Sequence, residues 1–186
     1  SLPNMTILNP STYTEAVEIV KFLCNNELDG PHYLRVGRQS VEDCLAEKEY
    51  KFHFGKGFTV EEGDDITLFS TGCVLPDVTK AKTKIESQTG LTVRVINFHT
   101  LKPIDKEIIA KASQETKYLF SVEDHSVVGG LGSIISEVLC ESNPARLTKI
   151  GLQDEFPESG PPNDLYNKYG LTSDKIASKV VDYVNR

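Results

Sequence analysis

Apolar positions along this chain alternate between short β-prone runs and longer stretches with helical spacing. Met5-Thr6-Ile7-Leu8 is a short strand-like run closed by Asn9-Pro10. Thr12 followed by Glu15 has the form of a capping box, and Ala16, Val17, Ile19, Val20, Phe22 and Leu23 then share one broad face, which predicts a helix. Gly30-Pro31 breaks the rhythm, and His32 to Val36 predicts a second strand. Residues 40–63 have weak periodicity, carry Glu42, Asp43, Glu47, Lys48 and Glu49, and read as a linker with a strand expected near Tyr50 to Phe54.

A regular alternation follows. Strands are predicted at Ile66 to Ser70, Leu91 to Asn97, Tyr118 to Val122 and Leu147 to Ile150. Helices are predicted at Pro76 to Gln88, after Asp105, after Gly129-Gly130-Leu131-Gly132, and at Asp174 to Val184. Strands alternating with helices of this length imply an α/β fold of three layers with a mostly parallel or mixed sheet. The chain thus divides into a β-α-β piece at 1–39, the linker at 40–63 and an α/β domain at 64–186. The leading piece is too small to bury a core by itself and reads as the end of something larger.

Composition and charge narrow the function. Of the 186 residues, 39% are hydrophobic and 25% charged, a globular balance, and the net charge of −7 argues against a nucleic-acid partner because a phosphate backbone would be repelled. The nearest approaches to a basic run, around Lys80, Lys102 and Lys111, are each interrupted by acids or apolar residues. No run approaches the ~18 apolar residues of a membrane span, and no basic segment followed by an apolar core signals export. Cys24, Cys44, Cys73 and Cys140 are widely spaced, with no Cys-x-x-Cys, and are expected as reduced thiols, two of them in the core. The cytoplasm is the expected compartment.

Candidate chemistry is sparse. Glu123-Asp124-His125-Ser126 follows a predicted strand, but adjacent side chains diverge and cannot form the hydrogen-bonded chain of a triad. A single acid-base histidine at His125 fits the end of a parallel strand; a ring that orders the loop or a subunit contact weighs more. Gly130-Leu131-Gly132-Ser133-Ile134-Ile135 has Ile where a dinucleotide fingerprint needs its third glycine, so close packing of the helix start on the sheet is favoured over anion binding. His32, His53, His99 and His125 are scattered and match no zinc spacing. Arg35 and Arg38 flank Val36-Gly37, where their planar forks suit either phosphate oxygens or a surface ion pair.

Three segments, taken in order, resemble the transketolase family. They are Ser1-Leu2-Pro3-Asn4-Met5 through Asn9-Pro10 with Gly30 to Gln39; Val122-Glu123-Asp124-His125-Ser126 through Ser133; and Gly151-Leu152 through Phe156-Pro157-Glu158-Ser159-Gly160, then Tyr169-Gly170-Leu171-Thr172. The resemblance implies the last β-α-β portion of a pyrimidine-binding domain followed by the transketolase C-terminal domain. It implies a parent enzyme that uses thiamine diphosphate and a divalent metal such as Mg to move a two-carbon ketol unit between sugar phosphates, working as a homodimer. By that resemblance Arg38 grips the substrate phosphate, Arg35 is the second candidate, and Glu123 and His125 belong to a loop or interface.

The family's catalytic glutamate, its pyrimidine-stacking aromatic and its metal motif have no counterpart in this sequence. No catalytic residue, cofactor site or metal site is therefore expected on this chain alone. A boundary inside the pyrimidine-binding domain is expected of a fragment whose N-terminal transketolase portion is fused or separate. The alternatives are a portion of a pyruvate-dehydrogenase-type β subunit or deoxyxylulose-phosphate synthase, or a stand-alone module that binds a ligand at the Gly129 to Gly132 helix start.

Overall fold

The computed structural model describes residues 2–26 and 28–186; Ser1, the first residue of the leading motif, lies outside the described residues. The chain forms two sheets. In the smaller, β1 (Thr6–Leu8) lies between β2 (His32–Leu34), which runs parallel to it, and β6 (Thr100–Lys102), which runs antiparallel. The larger has the order β3-β5-β4-β7-β8, from β3 (Phe58–Glu61), β5 (Val93–Asn97), β4 (Ile66–Thr71), β7 (Tyr118–Ser126) and β8 (Leu147–Leu152). All its neighbours are parallel except the edge strand β3.

Alternation along the central strands builds the three layers. Ile66 and Leu68 of β4, with Phe120 and Val122 of β7, pack against α2 (Leu75–Thr89) and α6 (Ser173–Val184) through Val78, Ala81, Ile85, Ile176 and Val180. Phe69 and Leu119 face the opposite side, toward α3 (Lys106–Glu115) and α4 (Leu131–Glu141), where Ile109, Ala112, Ile135 and Val138 complete a second cluster. The expected α/β fold with a mixed sheet is therefore the observed one.

Several expected elements shift. No strand forms at Tyr50 to Phe54. The aromatic residues that gave the strand signal pack sideways: Phe52 and Phe54 each lie 5.2 Å from the Phe22 ring, and Tyr50 lies 5.0 Å from Phe58. The strand of this stretch is β3, and Leu45 is fully buried in the core. The short α5 (Pro162–Tyr169) begins at a proline, as a first helical turn tolerates, but has no buried residue and so no periodic signal. Strand β7 continues past Val122 through the whole Glu123 to Ser126 segment.

The leading piece is joined to the domain by buried polar contacts as well as by β1 and β6. Its helix α1 (Tyr13–Asn25) starts at Thr12, whose Oγ1 accepts the amide of Glu15 at 3.3 Å. The reciprocal arm of the expected capping box reaches one residue earlier, because Glu15 Oε2 accepts the Ser11 amide at 2.7 Å. The apolar face of α1 is covered only in part: Ile19 is fully buried, while Val20 is 47% exposed. All four cysteines are free; Cys24 and Cys140 are exposed, and Cys44 and Cys73 are half-buried rather than core residues. Among the described residues, no helix is long and apolar enough to cross a membrane.

Candidate functional site

The chain leaves β4 for α2 on one face of the sheet and leaves β7 for α4 on the other, so these adjacent parallel strands form the switch point of the fold. The crevice at the carboxyl ends of such strands is where open α/β sheets bind ligands. Here the leading piece reaches into it. Asn9 Nδ2 donates to Thr71 Oγ1 at 3.0 Å, and Thr71 Oγ1 donates to the Phe98 carbonyl at 2.7 Å. A cavity of about 270 Å³ remains, lined in part by Tyr33, Arg35, Glu123, His125 and Leu131.

Because Glu123 and Asp124 are successive strand residues, they serve opposite faces. Glu123 is buried under the start of α4, where its carboxylate accepts the amides of Leu131 at 2.7 Å and Gly132 at 2.9 Å. Two of the helix's free N-terminal donors are thereby satisfied by a negative charge at the positive end of the dipole. Burial raises the Glu123 carboxyl above its ordinary range, and the Gly132 and Leu131 amides pull it back. A Cβ at Gly130 would sit 2.0 Å from Glu123 Oε2, and one at Gly132 would sit 2.5 Å from Ser121 Oγ. The glycines are thus needed for close approach, and the anion place at this helix start is taken by the protein's own carboxylate.

Asp124 faces the other way. Its Oδ2 accepts from the Tyr166 hydroxyl at 3.1 Å, and Tyr166 in turn accepts from Gln39 Nε2 at 3.0 Å. Arg35 donates to the Asp124 carbonyl at 3.0 Å and sets its guanidinium 3.4 Å from the carboxylate. Burial raises the Asp124 carboxyl, against the lowering effect of Arg35 and Tyr166. Arg35 is therefore committed to an ion pair. Arg38 is exposed and lies on the rim of an open cleft of about 650 Å³ with Gln39, Ser40 and the Gly160 to Asn163 segment. His125 is exposed, and its Nδ1 is 3.1 Å from the carbonyl of Ser126. The structure brings Arg35, Glu123 and His125 to one cavity and leaves Arg38 in a different cleft.

Sequence reasoning missed a buried polar joint between α1 and β5. Glu15 is fully buried and accepts from Asn97 Nδ2 at 2.9 Å, while Ser11 Oγ donates to Asn97 Oδ1 at 2.7 Å. Burial pushes the Glu15 carboxyl up to about 7, against the Ser11 amide and the side-chain donors around it. Nearby His99 is buried with its ring 4.5 Å from that of Phe52, and burial lowers it to about 4. Strongly shifted groups often mark active sites, but Glu15 has no exposed surface through which to meet a substrate. Tyr166 was also missed, since only the folded chain brings it between Gln39 and Asp124.

The described residues do not fit a thiamine diphosphate site. No group of three or more His, Cys, Asp or Glu side chains converges to hold a metal ion, and Glu123 fills the glycine-flanked helix start that would receive a diphosphate.

Residues 55–176 match the family model described as transketolase, C-terminal domain. An apulose-4-phosphate transketolase subunit of Phocaeicola vulgatus is 32% identical over all of this chain and 58% of its own length. A 1-deoxy-D-xylulose-5-phosphate synthase of Caldanaerobacter subterraneus subsp. tengcongensis is 32% identical over 97% of this chain and 29% of its own length. A solved structure described as a split gene transketolase, inactive beta4 tetramer, superposes with a TM-score of 0.85 at 34% identity, over 95% of this chain and 56% of that one. The chain spans 58% of the length of the first curated relatives it matches. With a family model matching more than half of the chain and a solved structure of the same fold at 34% identity, this chain belongs to the transketolase C-terminal domain family.

Proposed function

We propose that this chain is the C-terminal part of a thiamine-diphosphate- and Mg-dependent enzyme that transfers a two-carbon ketol unit between sugar phosphates. In this reading residues 1–39 complete a pyrimidine-binding domain, and 40–63 connect it to the C-terminal domain at 64–186 while lending β3 to that domain's sheet and Leu45 to its core. The cofactor supplies carbanion chemistry when bound, and groups outside this chain hold it. The chain's own work is to scaffold the assembly, to contribute to a homodimer, and to present Arg38 to a substrate phosphate. The observation that carries this reading is the leading piece itself. Its helix is only partly covered, its strand β1 pairs with β6 while Asn9 bonds Thr71 at the switch point, and it holds Arg38 exposed on an open cleft. Among the described residues no side-chain hydrogen bond or ion pair engages the Arg38 guanidinium, and its planar fork suits bidentate contact with a dianion.

The match to a deoxyxylulose-phosphate synthase at the same identity favours a second reading, in which the parent condenses pyruvate instead; the pyruvate-dehydrogenase-type reading shares that donor. One assay separates them. The complete protein, loaded with thiamine diphosphate and Mg, is offered xylulose 5-phosphate or pyruvate as donor, beside the isolated chain. Ketol transfer from xylulose 5-phosphate with an inactive isolated chain supports the leading reading. Turnover of pyruvate alone replaces it with the second, and activity of the isolated chain contradicts both. The stand-alone binding module is disfavoured by Glu123, which already occupies the helix start such a ligand would need.

A further inference from the structure

The segment that carries Arg38 has no regular secondary structure, yet it is held at both ends by one residue of the C-terminal domain. At its start, Arg35 donates to the Asp124 carbonyl at 3.0 Å and faces the Asp124 carboxylate at 3.4 Å. At its end, Gln39 donates to the Tyr166 hydroxyl at 3.0 Å, and Tyr166 donates to Asp124 Oδ2 at 3.1 Å. Between these anchors, Gly37 lies so close to the turn after β4 that a Cβ on it would sit 2.5 Å from Cys73 Sγ. Arg38 is exposed and lines the large cleft beside Gln39 and Ser40, and Gly160 to Asn163, at the start of the helix bearing Tyr166, line it as well.

We propose that Asp124, acting through Arg35 on one side and Tyr166 and Gln39 on the other, is the positioning residue that aims Arg38 at the phosphate of the substrate. The inference rests on the phosphate role of Arg38 given above and adds the groups that set its geometry. An arginine on an unanchored loop would lose side-chain and backbone freedom each time it gripped a dianion. Anchoring the loop at residues 35 and 39 lowers that cost before substrate arrives. Burial and the facing carboxylate hold the Tyr166 phenol well above its ordinary titration range, so its hydroxyl keeps the proton it donates to Asp124. With its proton directed at Asp124, the Tyr166 oxygen has a lone pair to accept from Gln39.

The test uses the complete enzyme and compares KM for a phosphorylated sugar with KM for its unphosphorylated analogue. Tyr166→Phe removes both hydroxyl bonds at little cost in volume. It should raise KM for the phosphorylated substrate about three- to tenfold, the scale of one or two hydrogen bonds, and leave kcat and the other KM within about twofold. Asp124→Asn should act in the same direction. In an Arg38→Ala background, Tyr166→Phe should add almost nothing, because the group it positions is gone. A selective Arg38→Ala effect with no selective Tyr166→Phe effect, or effects of the two that simply add, overturns the positioning role and leaves the phosphate reading standing. An Arg38→Ala effect equal on both substrates removes the phosphate reading and this inference with it.

Discussion

The Glu123 carboxylate lies 2.7 Å from the amide of Leu131, eight residues ahead in the chain, and this bond closes the helix start that the glycines leave open. Its second oxygen takes the Gly132 amide at 2.9 Å, so one buried side chain satisfies two donors. Glu123→Ala strands both amides and should destabilise the protein by about 2–4 kcal/mol in denaturant unfolding. Glu123→Gln keeps an acceptor for one amide and should cost about half as much. A loss below about 0.5 kcal/mol for Glu123→Ala would show that water replaces the carboxylate and that the cap is not structural.

Glu15 imposes a pH dependence whose sign is set by burial. Its carboxyl titrates at about 7 in the folded protein against an ordinary 4.5, so the folded state holds the proton more tightly. The associated stability is fully present below pH 4.5 and is lost as pH rises through 7, a change of about 3 kcal/mol. Glu15→Gln keeps an acceptor for Asn97 and removes the titration. Its stability relative to the parent should therefore rise by about that amount between pH 4.5 and 8, as read from unfolding midpoints. A difference that stays flat with pH would contradict the burial argument.

His99 works in the opposite direction. Its imidazole titrates at about 4 against an ordinary 6.5, so the folded state prefers the neutral ring. That stability is present above pH 6.5 and is lost as pH falls through 4, again by about 3 kcal/mol. The two groups oppose each other, and Glu15→Gln should uncover a rise in stability with pH that the parent conceals. Histidine proton NMR checks the origin directly: the His99 resonance should shift with a midpoint near 4. A midpoint above 6 would mean that water reaches the ring.

The periodic elements were legible because their signals are local. Val78, Ala81 and Ile85 sit on one stripe of α2, and Ile66 to Ser70 reads as a strand whatever pairs with it. The relationships that make the site are not local. The bond from Gln39 to Tyr166 spans 127 residues and that from Tyr166 to Asp124 spans 42, and no spacing rule connects them. Glu123-Asp124-His125-Ser126 was visible as a motif, but its roles depend on β7 continuing through it, which sends neighbouring carboxylates to opposite faces. The alternating Tyr50, Phe52 and Phe54 misled for a related reason: their partners are Phe22 on α1, Phe58 and His99 rather than a neighbouring strand.

The most direct test of the account measures KM in the complete enzyme before and after Arg38→Ala, for a phosphorylated sugar and for the same sugar without its phosphate. Loss of a charge-assisted contact predicts a rise of about ten- to a hundredfold for the phosphorylated sugar and little change for the other. An equal rise for both would contradict the account and leave Arg38 as a general structural contact.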